Sequence, residues 1–235
     1  MKNKIKIFAD GANVTAMLKL NKSNLVSGFT TNPSLMHSAG VRNYENFCKL
    51  LLNKIKKKPI SFEVFSDELT EMKKQAIKIA GWGNNIYVKI PIINSKNINT
   101  TKIIKELSNL KININVTAIF SFRQIKTLIT NFNPKSNIIL SVFAGRIADT
   151  GVDPEILIKK IYKNIKNKNN IKILWASSRE IFNLQQAKRS GCKIITLSNE
   201  LLAKLKLNNK NLEKYSKETV KQFNDDAKKS GFQIK

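Results

Sequence analysis

Histidine, cysteine, arginine and acidic residues are all scarce in this chain of 235 residues, and each shortage removes a class of function. The single histidine, His37, cannot build a histidine metal site, and no Cys/His cluster stands in for one. The two cysteines, Cys48 and Cys192, sit in apolar surroundings without ligand-like spacing. They read as small buried residues of a reducing compartment rather than as a disulfide or a metal pair. No apolar run approaches the ~20 residues that span a bilayer. The opening "MKNKIKIFADGAN" reaches an aspartate too soon to hold a signal-peptide core. These absences predict a cytoplasmic, soluble, metal-free chain with no membrane partner.

Acidic residues number 16 against 42 basic ones, a formal net charge of +26. A charge of that size raises nucleic acid as a partner. Only five of the basic residues are arginine, however, and the lysines are spread over every segment beside abundant Asn and Ile. All three residue types have A/T-rich codons, so genome composition accounts for them. Nucleic-acid modules gather arginine and stacking aromatics on one face, and no such cluster is visible. The expectation is no nucleic-acid partner, with a positive field that gathers anionic substrates.

What is present is alternation. Short β-rich runs fall at Ile5–Phe8, Leu25–Phe29, Ile60–Phe65, Ile86–Ile90, Ile112–Ala118, Ile138–Val142, Ile171–Trp175 and Lys193–Thr196. Between them lie segments of helical period such as "YENFCKLLLNKI", "TEMKKQAIKIA", "FRQIKTLIT", "PEILIKKIYKNI" and "REIFNLQQAKRS". Gly81, Gly83 and Gly191 close helical stretches, and Asp153-Pro154 opens one. Apolar strands in strict alternation with helices imply a parallel sheet covered by helices. Eight such units in one domain, residues 1–235, fit a closed (β/α)8 TIM barrel. A doubly wound open sheet competes, but no Gly-rich phosphate loop follows the first strand. An added helix over 211–230 carries Leu212, Tyr215, Thr219, Phe223 and Ala227 on one stripe.

In a barrel, reacting groups gather at the carboxyl ends of strands, and side chains alternate inward and outward. By that rule the first strand offers Asp10, the second Thr30, Thr31 and Asn32, and the third Glu63. The fourth offers Lys89, and the fifth Asn115 with Thr117. The sixth gives Ser141, Phe143 and Arg146, and the seventh Ser177 and Arg179. Polar groups in core-like runs are costly when unpaired. One intrusion is usually a satisfied hydrogen bond; seven strands interrupted near one end predict a lined cavity.

Lys89, alone, reads as a lysine snorkelling to water from a strand tip. Inside a barrel, desolvation favours a neutral amine, which is a carbonyl nucleophile. Asp10 and Glu63 on flanking strands are either its salt-bridge partners or its proton-transfer groups. Arg146 and Arg179 stand out where lysine is the default cation, because only guanidinium grips phosphate as a fork. Arg42, Arg123 and Arg189 fall in helical segments and read as surface.

The segments "FADGAN", "GFTTNPSL", "FEVF", "VKIP", "INVTAIFSFRQ", "SVFAGRIADTG", "ILWASSREI" and "SGCKIITLS" resemble, in order and over most of the chain, the transaldolase family of Schiff-base aldolases. That resemblance implies a cofactor-free enzyme of sugar phosphates in which Lys89 is the Schiff-base lysine and Asp10 the acid/base at the C4 hydroxyl. Glu63 and Thr117 would hold the water that shuttles protons at the imine. Thr30, Thr31, Asn32, Asn115 and Ser141 would line the sugar, and Arg146, Ser177 and Arg179 the phosphate. Family transaldolases pair glutamate on strand three with phenylalanine after strand six, as Glu63 and Phe143 do here; fructose-6-phosphate aldolases tend to carry glutamine and tyrosine. The expectation is therefore dihydroxyacetone transfer of the pentose phosphate pathway type. A fructose-6-phosphate aldolase is the alternative, and a basic nucleic-acid-binding barrel a distant one. Short family members form rings, implying a homo-oligomer, pentamer or decamer. Gly11, Ile93, Val142 and Ser178 depart from the family pattern near the substrate, without removing a charge the chemistry needs.

Overall fold

The computed structural model describes residues 5–130 and 132–234. They divide into two compact units, one up to Leu202 and one from Ala203 onward. In the first unit the strands are β1 (Lys6–Asp10), β2 (Gly28–Thr30), β3 (Ile60–Glu63), β4 (Ile86–Pro91), β5 (Ile114–Ile119), β6 (Ile138–Val142), β7 (Ile171–Trp175) and β8 (Ile194–Ser198). The helices are α1 (Val14–Asn21), α2 (Pro33–Ser38), α3 (Tyr44–Lys54), α4 (Leu69–Ala80), α5 (Thr101–Asn109), α6 (Phe122–Ile125), α7 (Ala144–Ala148), α8 (Pro154–Ile165) and α9 (Asn183–Ser190). Helix α10 (Asn199–Lys204) crosses the division. The second unit holds a 3-10 turn, Leu205–Leu207, and α11 (Leu212–Ser230), capped by the Asn211 side chain on Lys214 N and by a left-handed Gly231.

The eight strands close in sequence order, every pair parallel: a (β/α)8 TIM barrel, as the alternation predicts. Strands β6 and β7 fall on the expected residues. Helix α8 begins at Pro154 because Asp153 caps it, its carboxylate accepting Glu155 N at 2.9 Å. Three expectations are corrected. The run "FRQIKTLIT" is helical only to Ile125; Leu128 N and Ile129 N both donate to Ile125 O, which closes the helix into a turn. The helix expected from Arg179 starts at Asn183, whose side-chain oxygen accepts from Arg179 N and Glu180 N and holds that stretch as a turn. Arg42 lies in the loop before α3 rather than in a helix.

The inside of the barrel changes character along each strand. Phe8, Ile139, Leu174, Ala176 and Ile194 form an apolar cluster, with Tyr87 and Phe143 packed against it. Two residues further along the same strands, on the same inward side, stand Asp10, Lys89, Ser141 and Thr196. The apolar layer thus floors a polar one, and that junction positions the site.

Candidate active site

Neighbouring strands set the register of the polar layer: Asp10 pairs with Thr30, Glu63 with Lys89, and Lys89 with Asn115. Lys89 is only 6% exposed. Its Nζ lies 3.0 Å from Glu63 Oε2 and donates to Thr31 O at 3.1 Å. An amine so enclosed has a carboxylate as its nearest proton acceptor, and the geometry allows proton exchange between them. Tyr44 secures the end of β3, its phenol donating to Glu63 O at 2.5 Å. Burial pushes that phenol upward, so it remains a donor.

Asp10 faces the same mouth from β1. Burial pushes its carboxyl up from the ordinary value, while the nearby Lys89 charge and the Thr30 hydroxyl pull the other way. Thr30 Oγ1 donates to Asp10 Oδ1 at 2.7 Å and sits 2.7 Å from Thr196 Oγ1. A carboxyl held in this way can exchange a proton with a hydroxyl placed in the cavity.

The cavity itself has a volume of about 110 Å³ and is lined by Asp10, Thr30, Asn32, Lys89, Thr117, Ser141, Phe143, Arg146 and Ser177, with Leu174, Ala176 and Thr196 completing the wall. Nine expected residues therefore share one cavity. Glu63 does not line it but touches it through Lys89. Asn115 stands behind the wall, donating to Ser61 Oγ at 3.0 Å and accepting from Ser141 Oγ at 2.6 Å. Thr31 spends its hydroxyl on Ser61 O at 3.0 Å, which leaves only its carbonyl turned to Lys89. Asn32 caps α2 by accepting Leu35 N at 2.9 Å, so its amide nitrogen is the part that remains for a ligand.

Thr117 Oγ1 is buried without a hydrogen-bond partner. An unpaired buried hydroxyl costs about 1–3 kcal/mol unless a water or ligand meets it. It sits where β5 breaks register against β6, next to Ala118 at φ 56°. Ser177, at φ 62°, is a second left-handed non-glycine in the mouth. Such strain persists where the surrounding fold over-determines it, commonly at functional sites.

The two candidate phosphate arginines are not equivalent. Arg146 lines the cavity, its guanidinium 5.2 Å from the Phe143 ring centre. Arg179 is outside the lining, its Nε and Nη2 donating to the two Asp149 oxygens at 3.2 and 2.5 Å, with both side chains half exposed. An exposed pair of this kind is worth about 0–1 kcal/mol, so an incoming anion displaces Asp149 cheaply.

Sequence reasoning missed Ser61 and Thr196, the hydroxyls that tie the polar layer together. Both lie on the inward side by the same alternation that found the others; as single hydroxyls in apolar strands they carry no charge to mark them. Arg189 lies in a helix at the surface, as expected, with its side chain 54% exposed; what the sequence did not show is that it holds the buried Glu155 with two nitrogens at 2.5–3.0 Å. No group of three or more potential metal ligands occurs among the described residues, and no described helix is long and apolar enough to cross a membrane.

A closed parallel barrel thus holds a lysine–carboxylate pair and an aspartate at the carboxyl ends of its strands. The family model described as Transaldolase/Fructose-6-phosphate aldolase matches residues 7–234. A probable transaldolase 2 from Listeria monocytogenes is 33% identical over 206 residues, covering 86% of this chain and 88% of that protein. A probable transaldolase from Nitrosopumilus maritimus is 33% identical over 231 residues, covering 95% of this chain and all of that one. Among solved structures, N-acetylneuraminate lyase from Mycoplasma synoviae superposes with a TM-score of 0.59 at 16% identity, over 96% of this chain and 82% of that one, which speaks for the barrel alone. The chain belongs to the transaldolase/fructose-6-phosphate aldolase family of enzymes.

Proposed function

We propose that the protein is a transaldolase that moves a dihydroxyacetone unit from a ketose phosphate to an aldose phosphate through a Schiff base on Lys89. The observation that carries this is the 3.0 Å contact between Lys89 Nζ and Glu63, inside the mouth that also holds Asp10. Lys89, relieved of a proton by Glu63, adds to the C2 carbonyl. The carbinolamine loses water, with Glu63 and a water on the unpaired Thr117 hydroxyl carrying the protons. Asp10 takes the C4 hydroxyl proton, C3–C4 breaks, and the bonding pair passes into the enamine on Lys89. The aldose phosphate leaves, an acceptor aldehyde enters, and the steps reverse to release the new ketose and the free amine.

Arg146 and Ser177 receive the phosphate, joined by Arg179 when it leaves Asp149. Phe143 lines the cavity without a proton to give, so the enamine waits for an aldehyde. The test is to supply fructose 6-phosphate with and without erythrose 4-phosphate. Transfer predicts a seven-carbon ketose phosphate only when both are present, and little free dihydroxyacetone. Free dihydroxyacetone at the same rate without acceptor would instead establish a fructose-6-phosphate aldolase. Replacing Phe143→Tyr should shift the balance toward that release. The same reading carries a ring-shaped homo-oligomer that uses the amphipathic stripe of α11; unchanged mass by light scattering after deletion from Leu212 would refute that role.

A further inference from the structure

The alternation that places Asp10 and Lys89 above the apolar floor also says what lies beneath it. Two residues before Phe8 and Leu174, on the same inward side, stand Lys6 and Lys172, at the opposite mouth of the barrel. The segments entering β1, β7 and β8 there enclose a cavity of about 240 Å³. Lys6, Lys166, Lys168, Lys172 and Lys193 line it together with Tyr162, and no acidic side chain does. Lys73 and Lys96 show that a lysine here can find a carboxylate, Glu106 and Glu68 respectively; these five have none within ion-pair distance among the described residues, although they crowd into one concavity. Lys172 is half-buried, and its ammonium is disfavoured first by burial and then by the charge of Lys6. Like charges are thus held together in a concavity at a cost that an anion would offset.

A second feature points to the anion's other half. The cavity continues into a wider cleft of about 700 Å³ through shared Tyr162, Lys166, Gly191 and Lys193. The Tyr162 ring is 38% exposed and rests on Gly191, where a Cβ would come within 2.7 Å of it and where φ is +103°. The ring therefore lies against the Gly191 backbone where the two cavities meet and keeps exposed surface there, on which a planar base can stack.

We propose that this lysine-lined mouth, at the end of the barrel away from Lys89, binds a nucleoside polyphosphate, with the phosphates among Lys6, Lys172 and Lys193 and the base over Tyr162. The chain's general positivity does not account for it, because what distinguishes this place is five amines facing one concavity with an aromatic ring at its edge.

Equilibrium binding of ATP and of inorganic tripolyphosphate to the full-length protein at physiological salt is the test. The expected result is saturable binding of both, with ATP tighter. In Lys6→Gln/Lys172→Gln both should weaken by about tenfold or more. In Tyr162→Leu only ATP should weaken. Lys166→Gln/Lys168→Gln, farther from the strands, gives a second reading if the first pair folds poorly. Arg146→Ala and the exposed pair Lys102→Gln/Lys126→Gln should leave binding unchanged. Three results would overturn the proposal: no saturable binding, equal weakening in the exposed-lysine control, or loss of binding with Arg146→Ala. Tighter binding of a single-stranded oligonucleotide on the same lysines, with a steeper salt dependence, would also overturn it in favour of nucleic acid.

Discussion

Gly145, the second residue of α7, sits directly against the loop that follows β7. A Cβ built there would lie 1.6 Å from Ser177 O, 2.7 Å from Ser177 C and 3.2 Å from Arg179 Cγ. The clash is with backbone, so no rotamer change relieves it. Restoring an ordinary contact requires the two loops to part by roughly 1.9 Å, since heavy atoms in packed interiors sit about 3.5 Å apart. Forcing a methyl into such a seam costs about 3 kcal/mol. In a chain of this size that lowers Tm by roughly 6–12 °C. The parting also moves Arg146 and Ser177, the two candidate phosphate groups that line the cavity. A misplacement of about 1 Å costs about a hundredfold in rate, so kcat/KM should fall by that order or more. Calorimetry and steady-state kinetics on Gly145→Ala measure both. Gly11→Ala is the control, because the nearest atom to its Cβ is Asn199 Nδ2 at 3.9 Å; its Tm should stay within a few degrees. If Gly145→Ala melts within about 2 °C of the parent and keeps kcat/KM within about threefold, the reasoning about that seam is wrong.

Asp10→Asn should be more stable than the parent at pH 7 yet catalytically silent. The buried carboxyl is raised in the folded state, so its stability is fully present below 3.8 and is lost as pH rises through the folded value; melting curves of the two proteins should converge in acid. Arg189→Gln leaves the buried Glu155 with only Lys159, at 3.3 Å, and, because Arg189 itself is half exposed, should cost about 1–2 kcal/mol by urea unfolding. The Glu155 carboxyl is lowered chiefly by its hydrogen bonds to Arg189, so the gap between Arg189→Gln and the parent should shrink as pH falls below 4.5. Cys48 and Cys192 are buried, and burial pushes the Cys192 thiol up to about 12 and the Cys48 thiol higher still. Ellman's reagent at pH 8 should therefore find no reactive thiol in the native protein and both in urea.

What was legible in the sequence follows from which physical signals are local. Strands β6 and β7 read true to the residue because each is dominated by Ile, Leu, Val and Trp with a single polar interruption, and α8 because Asp153-Pro154 is a local cap. Helices α2 and α7 escaped because they are six and five residues long, too short for a period to show. The charged members of the mouth, Asp10, Lys89 and Arg146, were visible as intrusions at strand ends. Their partners were not: Lys89 and Thr31 O are 58 residues apart, Arg179 and Asp149 are 30 apart, and nothing local joins them. Thr31 and Asn115 read as sugar contacts by motif, yet the fold turns the Thr31 hydroxyl to Ser61 and places Asn115 behind Ser141. Arg189 is exposed as expected, but its pairing with Glu155 was not legible because the burial of Glu155 arises only when α8 and α9 pack.

The most direct measurement is borohydride reduction of the protein in the presence of fructose 6-phosphate, followed by peptide mass mapping. The account predicts a stable three-carbon adduct on Lys89, with none in Lys89→Met. An adduct on a different lysine, or turnover that persists in Lys89→Met, would contradict it.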